Sequence, residues 1–330
     1  MHSRAGAALT ALGLLTAACG TAAEAGLSTA PAPAASAAAG TAGTPATGAR
    51  PSSSAPAAGT PAAQGHGTVA VLYAGSLVKL MEEYLGPTFQ ATTGYRFEGF
   101  AGGSQALANE VKGGLQRGDV FISASTSADT SLTGPANGNW VSWSVTFGKS
   151  PLVIGYNASS RFAAALQTQP WYQVLAESGF RLGRTDPVLD PKGQLTIQFV
   201  EAAQTYYNDP LLLQQVLGSA ANPAQVFPEQ DLVGRLQAGQ LDAGFFYANE
   251  ATDAGIPTLT LPAAIDPSAT FTVTILRGAP EAAGATAFVQ FLLGQLGTDI
   301  LRRDGVTVEA PQVSGEASAV PPQVRAILAG

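Results

Sequence analysis

The chain has 330 residues, a formal net charge of −7 and only 12% charged residues, without a basic stripe. This composition argues against nucleic acid as a partner. The two histidines are His2 and His66 and the single cysteine is Cys19, so the sequence excludes an intramolecular disulfide, a histidine-based catalytic triad and a Cys/His metal cluster in its patterned part.

The first 19 residues have the pattern of a secretory signal peptide. A short polar, basic start with His2 and Arg4 precedes an apolar stretch that is too short to span a membrane permanently. The small residues before Cys19 resemble a bacterial lipobox. We therefore expect Cys19 to be the lipidated mature N-terminus. The alternative is an ordinary secreted protein in which Cys19 has no role.

Residues 20–66 are rich in Ala, Gly, Ser, Thr and Pro and contain almost no large apolar side chain. Such a segment cannot bury a hydrophobic core. The composition predicts a disordered tether between the membrane and the fold. The remaining residues, about 265 of them, suit two lobes or one large α/β domain.

A strand–turn–helix unit occupies residues 69–84. An apolar run over 69–73 predicts a buried strand, Ala74 and Gly75 form a turn, and Ser76 begins a helix with apolar side chains at helical spacing. The carboxyl end of a strand followed by a helix N-terminus is where α/β sheets bind anions.

This unit occurs again further along the chain. Residues 95–100 predict a strand, and Gly102, Gly103 and Ser104 open the following helix; a third strand covers 119–125. Two Ser/Gly turns after neighbouring strands favour an oxyanion cradle. The alternative is that both serines are ordinary helix starts.

The rest of the chain alternates between strand and helix patterns, which predicts a mostly parallel α/β architecture. The predicted strands are 152–156, 181–183, 243–247, 258–261 and 271–276, and the predicted helices are 159–166, 169–177, 194–207, 210–217, 228–239, 283–293 and 297–303. Residues 249–255 are read as a turn, and residues from 314 onward have no clear pattern. The phosphate loop GxxxxGK[ST] and a complete GxGxxG fingerprint are missing, so an enzyme is not expected.

Seven segments together resemble the periplasmic molybdate/tungstate-binding proteins of ABC importers over residues 68–311. They are AGSL, AGGSQALANEV, DVFISAS, PLVIGYN, TDPVLDPKG, GFFYANEA and AFVQFLLGQLGTDILRRDGVTV. The resemblance implies an α/β type II periplasmic-binding-protein fold, with two α/β lobes joined by two crossovers and the ligand cleft between them. Lobe one would be 67–150 plus 259–330, and lobe two 151–258.

The resemblance also implies a function. The chain would be a monomeric extracytoplasmic lipoprotein that binds molybdate or tungstate, uses no cofactor, and delivers its ligand to a cognate ABC permease. The implied oxyanion contacts are Ser76, Ser104, Asp190, a backbone N–H around Lys192, and the Tyr247 hydroxyl, with Gly75, Gly103, Gln230 and Asp231 as further candidates. Neutral donors at helix starts suit a tetrahedral dianion.

The sequence departs from the family at one position. An archaeal branch places an Asp and a Glu on the metal; Asp190 matches that Asp, but Phe246 stands where we place the Glu. We therefore expect a tetrahedral ligand with at most one carboxylate near it, and we expect Asp190→Asn to tighten binding if Asp190 faces the cleft as an anion. Asp190 could instead bind the metal, accept a proton from hydrogen phosphate, or cap the helix at Gln194.

Three other functions stay open from the sequence. One is the binding of another oxyanion, phosphate or sulfate. Another is ferric iron bound by the Tyr206-Tyr207 pair, although the position of this pair late in a helix favours packing. The last is a sensor or adhesion lipoprotein that uses the same fold without transport.

The lipid anchor can be tested by changing one residue. We expect the wild-type protein to partition into the membrane fraction, and the Cys19→Ala variant to partition into the aqueous phase because it lacks the acylation site. Identical partitioning of both proteins into the aqueous phase would contradict the anchor.

Overall fold

The structure is a computed structural model that describes residues 65–329. The predicted signal peptide, Cys19 and nearly all of the predicted tether lie outside the described residues. No helix among the described residues is both long and apolar enough to cross a bilayer.

Nine strands and twelve α-helices form the described part. The strands are β1 (Thr68–Ala74), β2 (Arg96–Gly102), β3 (Val120–Ser123), β4 (Trp143–Tyr156), β5 (Leu182–Gly183), β6 (Ala243–Tyr247), β7 (Thr258–Leu259), β8 (Ser268–Ile275) and β9 (Thr307–Gly315). The helices are α1 (Gly86–Thr93), α2 (Ser104–Lys112), α3 (Thr126–Ser131), α4 (Ala163–Thr168), α5 (Trp171–Leu175), α6 (Pro191–Tyr207), α7 (Leu212–Leu217), α8 (Leu232–Gln237), α9 (Ala248–Asp253), α10 (Ala282–Leu293), α11 (Gln295–Arg303) and α12 (Pro322–Leu328).

The first sheet has the strand order β2-β1-β3-β8-β4, with β9 on the other edge of β4. β1 pairs in parallel with β2 and β3, and Val69, Val71 and Leu72 are completely buried, as their apolar run predicts. The carboxyl ends of β1 and β2 therefore lie side by side, with Ala74 opposite Gly102. This register brings the two Ser/Gly turns to one edge of the sheet.

β4 connects the first sheet to a second one. Val145–Pro151 pair with β8, whereas Leu152–Tyr156 pair with β6. The second sheet contains the end of β4 with β6, β5 and β7. The chain returns after β7 and enters β8 in the first sheet, so it passes between the two sheets twice.

The expectation of a mostly parallel architecture is wrong. β4 is antiparallel to β6, β7, β8 and β9, and β8 is antiparallel to β3; only the pairs of β1 with β2 and β3, and of β5 with β6, are parallel. β4 passes from the first sheet into the second, and the chain later returns along β7 and β8. These return strands run antiparallel to β4. Alternation of element types along the chain carries no information about such returns.

Three segments differ from the secondary structure that the sequence predicts. The helix after β1 begins with a 3-10 turn (Gly75–Leu77) and a π segment (Leu80–Leu85) before α1. The segment after β6 is predicted as a turn but is a helix, α9, at whose start the carboxylate of Glu250 accepts the N–H of Tyr247. The end of the chain contains β9 and α12, which have little apolar periodicity because most of the side chains of β9 are exposed.

An isolated acid, Asp129, lies in the first turn of α3. Asp129 is 4% exposed, and neither of its carboxylate oxygens makes a hydrogen bond of good geometry within residues 65–329. Burial raises the pKa of Asp129 to about 7, and the hydroxyl of Thr272 opposes this shift only in part. The folded protein therefore holds a proton on Asp129 that the unfolded chain releases at lower pH.

We expect the free energy of unfolding to fall as the pH rises from the ordinary range of an Asp to about 7, because the folded state binds the extra proton there. The slope is at most about 1.4 kcal/mol per pH unit. Asp129→Asn should flatten this dependence in urea unfolding at several pH values. Asp299→Asn, at an exposed position, is the control; equal pH slopes in both variants would contradict the assignment.

Candidate functional site

Two turns of the first sheet form one wall of the candidate site. Gly75 and Ser76 follow β1, and Gly103 and Ser104 follow β2. Ser76 is 5% exposed and Ser104 is completely buried. The hydroxyl oxygen of Ser104 accepts the N–H of Ala124 at 3.0 Å, so this serine also joins α2 to the end of β3.

Asp190 comes from the loop before α6 and lies against the second turn. Its Oδ1 accepts the N–H groups of Lys192 (2.9 Å) and Gly193 (3.3 Å) and the hydroxyl of Thr185 (2.6 Å), so Asp190 is the N-cap of α6. The helix begins at Pro191, earlier than the predicted start at residue 194. A Cβ on Gly103 would lie only 3.0 Å from Oδ2 of Asp190, which places that second oxygen at the turn. Asp190 thus caps a helix and faces the first sheet.

Glu229 lies against the first turn in the same way. It begins the short 3-10 turn Glu229–Asp231 before α8, and its Oε2 accepts the N–H of Gly75 at 2.7 Å. A Cβ on Gly75 would lie 2.9 Å from this oxygen, so the turn needs a glycine for the carboxylate to approach. Burial and the charge of Asp190 raise the pKa of Glu229 well above its ordinary value, and Lys192 opposes the shift.

A completely buried lysine connects these acids. Nζ of Lys192 donates to both carboxylate oxygens of Glu250, at 2.9 and 2.7 Å, and lies 3.5 Å from Oε1 of Glu229. Burial alone would lower the pKa of Lys192, but the charges of Glu250, Glu229 and Asp190 outweigh it and raise this pKa. Lys192 is therefore held in its cationic form.

The end of β6 supplies the remaining side chains. The N–H of Tyr247 donates to Oε2 of Glu250 at 2.9 Å, and the ring of Tyr247 lies 5.3 Å from Nζ of Lys192. Nδ2 of Asn249 donates to the carbonyl oxygen of Ser76 at 3.1 Å, which joins the start of α9 to the first turn. Burial, followed by the charges of the three nearby acids, raises the pKa of Tyr247, so its hydroxyl stays protonated.

Several of these buried polar atoms have no hydrogen-bond partner within the part of the chain that the structure describes. They are Ser76 Oγ, Asp190 Oδ2, Glu229 Oε1, Tyr247 OH and Asn249 Oδ1. A cavity of about 640 Å³ adjoins this cluster and is lined by residues of both sheets' connecting turns, among them Gly103, Asp190 and Glu229. Asp190 and Glu229 thus border a cavity that is partly open, and the residues that carry the free hydroxyls, Ser76 and Tyr247, are not part of its lining.

The structure brings most of the sequence-predicted residues together, with three differences in their contacts. The N–H of Lys192 is engaged by Asp190, so it is the ammonium group of this residue that enters the cluster. Gln230 is exposed, and the N–H of Asp231 bonds to the carbonyl of Pro228 within its own turn. Their predecessor Glu229 is the residue of this turn that faces the site.

The expectation of at most one carboxylate near the ligand did not take account of Glu229, which accepts the N–H of Gly75 while Asp190 lies at Gly103. Phe246 stands where the Glu of the archaeal branch was expected. It is completely buried in a cluster with Leu232, Leu236 and Ile256. The sequence pattern assigns no site role to Glu229, nor to Glu250, which lies in the segment predicted as a turn. The pattern PEQ before an amphipathic helix gives no signal that distinguishes a buried acid from a solvated one.

The tyrosine pair considered for ferric iron lies elsewhere. Tyr207 packs against Tyr172 with ring centroids 4.6 Å apart, and it accepts the indole N–H of Trp171 at 3.3 Å. Tyr206 is 52% exposed. Packing at the end of α6 therefore accounts for both rings.

The fold and the sequence both match known solute-binding proteins. Among solved structures, the periplasmic molybdate-binding protein of Azotobacter vinelandii aligns with a TM-score of 0.56 at 20% identity, covering 73% of this chain and 99% of that one. The sulfate-binding protein SubI of Mycobacterium tuberculosis aligns with a TM-score of 0.55 at 15% identity, covering 73% and 86%. These matches confirm the type II periplasmic-binding-protein fold.

Relatives and a family model agree with the fold. The "Putative ABC transporter molybdenum-binding protein" of Haloferax volcanii is 32% identical over 77% of this chain and 86% of its own length. The molybdate/tungstate-binding protein WtpA of Pyrococcus abyssi is 24% identical over 66% of this chain and 76% of its own length. Residues 69–307 match the family model described as bacterial extracellular solute-binding protein, and the chain belongs to this family.

Proposed function

We propose that this protein captures molybdate or tungstate between its two sheets and delivers the oxyanion to an ABC permease. The observation that carries the proposal is a group of buried hydroxyl and carboxylate oxygens near the two Ser/Gly turns that have no hydrogen-bond partner among residues 65–329. The names of the relatives from Haloferax volcanii and Pyrococcus abyssi support the same ligand class. The protein acts outside the cytoplasm as a monomer, anchored through Cys19, and is not an enzyme.

The hydroxyl groups suit the oxygen atoms of a tetrahedral oxyanion. Ser76 Oγ and Tyr247 OH are buried donors without a partner in the described part of the chain. The first N–H groups of α2, at Ser104 and Gln105, have no carbonyl within their own helix and add donors of the same kind. Such donors bind oxo groups of molybdate and sulfate alike.

The two carboxylates restrict the choice of ligand. At an effective dielectric near 20, two like unit charges 4 Å apart repel by about 4 kcal/mol, and a dianion doubles this. Asp190 Oδ2 and Glu229 Oε1 can avoid this repulsion by donating electron pairs to the central atom. Molybdenum and tungsten can expand their coordination in this way, whereas sulfur in sulfate does not.

Hydrogen phosphate is the second candidate. It carries a proton that Asp190 or Glu229 could accept, and their free oxygens favour such a ligand as well. A phosphate site would need only one of the two carboxylates as acceptor. Two carboxylates with free oxygens at the two turns therefore favour the metal oxyanions.

Calorimetric titration of the wild-type protein with molybdate, tungstate, sulfate and phosphate tests the ligand class. We expect molybdate and tungstate to bind and sulfate to bind far more weakly, because sulfate gains nothing from the carboxylates. Tighter binding of phosphate would favour the second candidate. Absence of binding for all four anions would contradict the proposal.

Asp190→Asn and Glu229→Gln test the carboxylates. Asparagine is as good an N-cap as aspartate, so Asp190→Asn should leave the free energy of unfolding nearly unchanged. We expect each variant to weaken tungstate binding about tenfold or more, a loss of about 1.4 kcal/mol or more. The presence of a second carboxylate supports this direction, opposite to the tightening expected from the sequence. Tighter binding by either variant would mean that the carboxylate only repels the ligand.

Ser76→Ala and Ser104→Ala separate a ligand donor from a structural one. Ser76→Ala should weaken oxyanion binding and leave stability unchanged, because its hydroxyl has no partner within residues 65–329. Ser104→Ala should in addition lower the free energy of unfolding by about 1–3 kcal/mol, because the buried N–H of Ala124 loses its acceptor. Calorimetry and urea unfolding measure both effects. Unchanged affinity in both variants would remove both serines from the site.

A further inference from the structure

We propose that the buried Lys192–Glu250 ion pair is the positioning element of this site, which holds the Glu229 carboxylate and the Tyr247 hydroxyl in place for the oxyanion. This inference rests on the proposed function for the nature of the ligand. It assigns a role to two residues that do not themselves need to touch the ligand.

The contacts of Lys192 fix its ammonium group in one place. Two hydrogen bonds to Glu250, at 2.9 and 2.7 Å, anchor Nζ on the side of α9, and Oε1 of Glu229 lies 3.5 Å away. Oε2 of the same Glu229 is held by the N–H of Gly75. The Glu229 carboxylate therefore lies between a backbone donor of the first sheet and a cation, and Lys192 determines where its free oxygen points.

The carboxylate of Glu250 that binds Lys192 also positions Tyr247. Its Oε2 accepts both the ammonium of Lys192 and the N–H of Tyr247. This second bond lies at the start of α9 and holds the end of β6 there. One carboxylate thus couples the position of the Tyr247 ring to that of Lys192.

The location of Lys192 in α6 argues against a role in stability alone. It lies in the first turn of the helix, where the macrodipole disfavours a cation, and its side chain is completely removed from water. Buried ion pairs are often replaced by apolar residues without loss of stability. Lys192 is a cation at an unfavourable helix end, bound to Glu250 and directed at Glu229. A role in positioning Glu229 for the ligand explains why the lysine lies there.

Charge balance points the same way. The cluster contains three buried carboxylates, those of Asp190, Glu229 and Glu250, and one ammonium group. The single positive charge of Lys192 offsets one negative charge of these acids, whichever of them are ionised. Lys192 therefore both orients Glu229 and lowers the repulsion of the ligand.

Glu250→Gln separates positioning from simple charge. Removal of one negative charge should by itself tighten the binding of a dianion. Loss of the anchor of Lys192 should instead release Glu229 and weaken binding, although Gln can still accept the N–H of Tyr247. We expect tungstate affinity, measured by calorimetry, to fall about tenfold. Glu309→Gln is the matched control, since Glu309 pairs with Lys149 at 2.7 Å on the surface and its loss should leave affinity unchanged.

The double variant Lys192→Met/Glu250→Gln removes the pair at constant net charge, and this makes it the more conservative test for folding. We expect it to unfold near the wild-type denaturant concentration but to bind tungstate more weakly. X-ray absorption of the bound tungsten should show fewer oxygen neighbours than in the wild-type complex, because Glu229 is no longer directed at the metal.

Two outcomes would overturn the inference. One is unchanged or tighter tungstate binding by Glu250→Gln, and the other is wild-type affinity and an unchanged tungsten coordination number in the double variant. Both require that the wild-type protein binds tungstate. Lack of binding by the wild-type protein would refute the proposed function instead, so the two failures are distinguishable.

Discussion

The burial of three carboxylates where the two sheets meet is the constraint on which the rest of the site depends. An ionised carboxylate removed from water costs several kcal/mol unless partners offset that loss. Here the partners are the N–H of Gly75 for Glu229, the first turn of α6 for Asp190, and Lys192 for Glu250. Each partner belongs to the end of a strand or the start of a helix, so the acids can lie here only because those ends converge.

Close approach between the two sheets' turns adds a steric condition. Gly75 lies against Glu229, and Gly103 lies against Asp190 and the carbonyl oxygen of Leu189. A Cβ atom on either glycine would come too close to these neighbours. Each turn of the first sheet thus meets one acid from the other side of the cleft. The glycines next to the two serines therefore serve the contact across the cleft, while the serines supply hydroxyl groups.

The parts of this arrangement that depend on local pattern could be predicted from the sequence. The strand 69–73, the turns at Ser76 and Ser104, and the strand 243–247 follow from apolar runs and turn residues that lie next to one another in the chain. The pairing of Lys192 with Glu250, 58 residues apart, and the contact of Glu229 with Gly75, 154 residues apart, leave no such local trace. For the same reason the antiparallel returns of β4 and β8 were missed, since strand direction is set by crossovers between sheets.

The selectivity of the site follows from which of its groups can tell one tetrahedral anion from another. Hydroxyl and backbone donors recognise oxygen atoms and the overall charge, which molybdate, tungstate and sulfate share. Carboxylates that face the anion oppose all three unless the central atom accepts electron pairs. In the proposed site, Asp190 and Glu229 would therefore act against sulfate as much as in favour of a metal oxyanion. On the positioning role that we propose, this discrimination would work only while Glu229 is directed into the site by the ammonium group of Lys192, which the carboxylate of Glu250 holds.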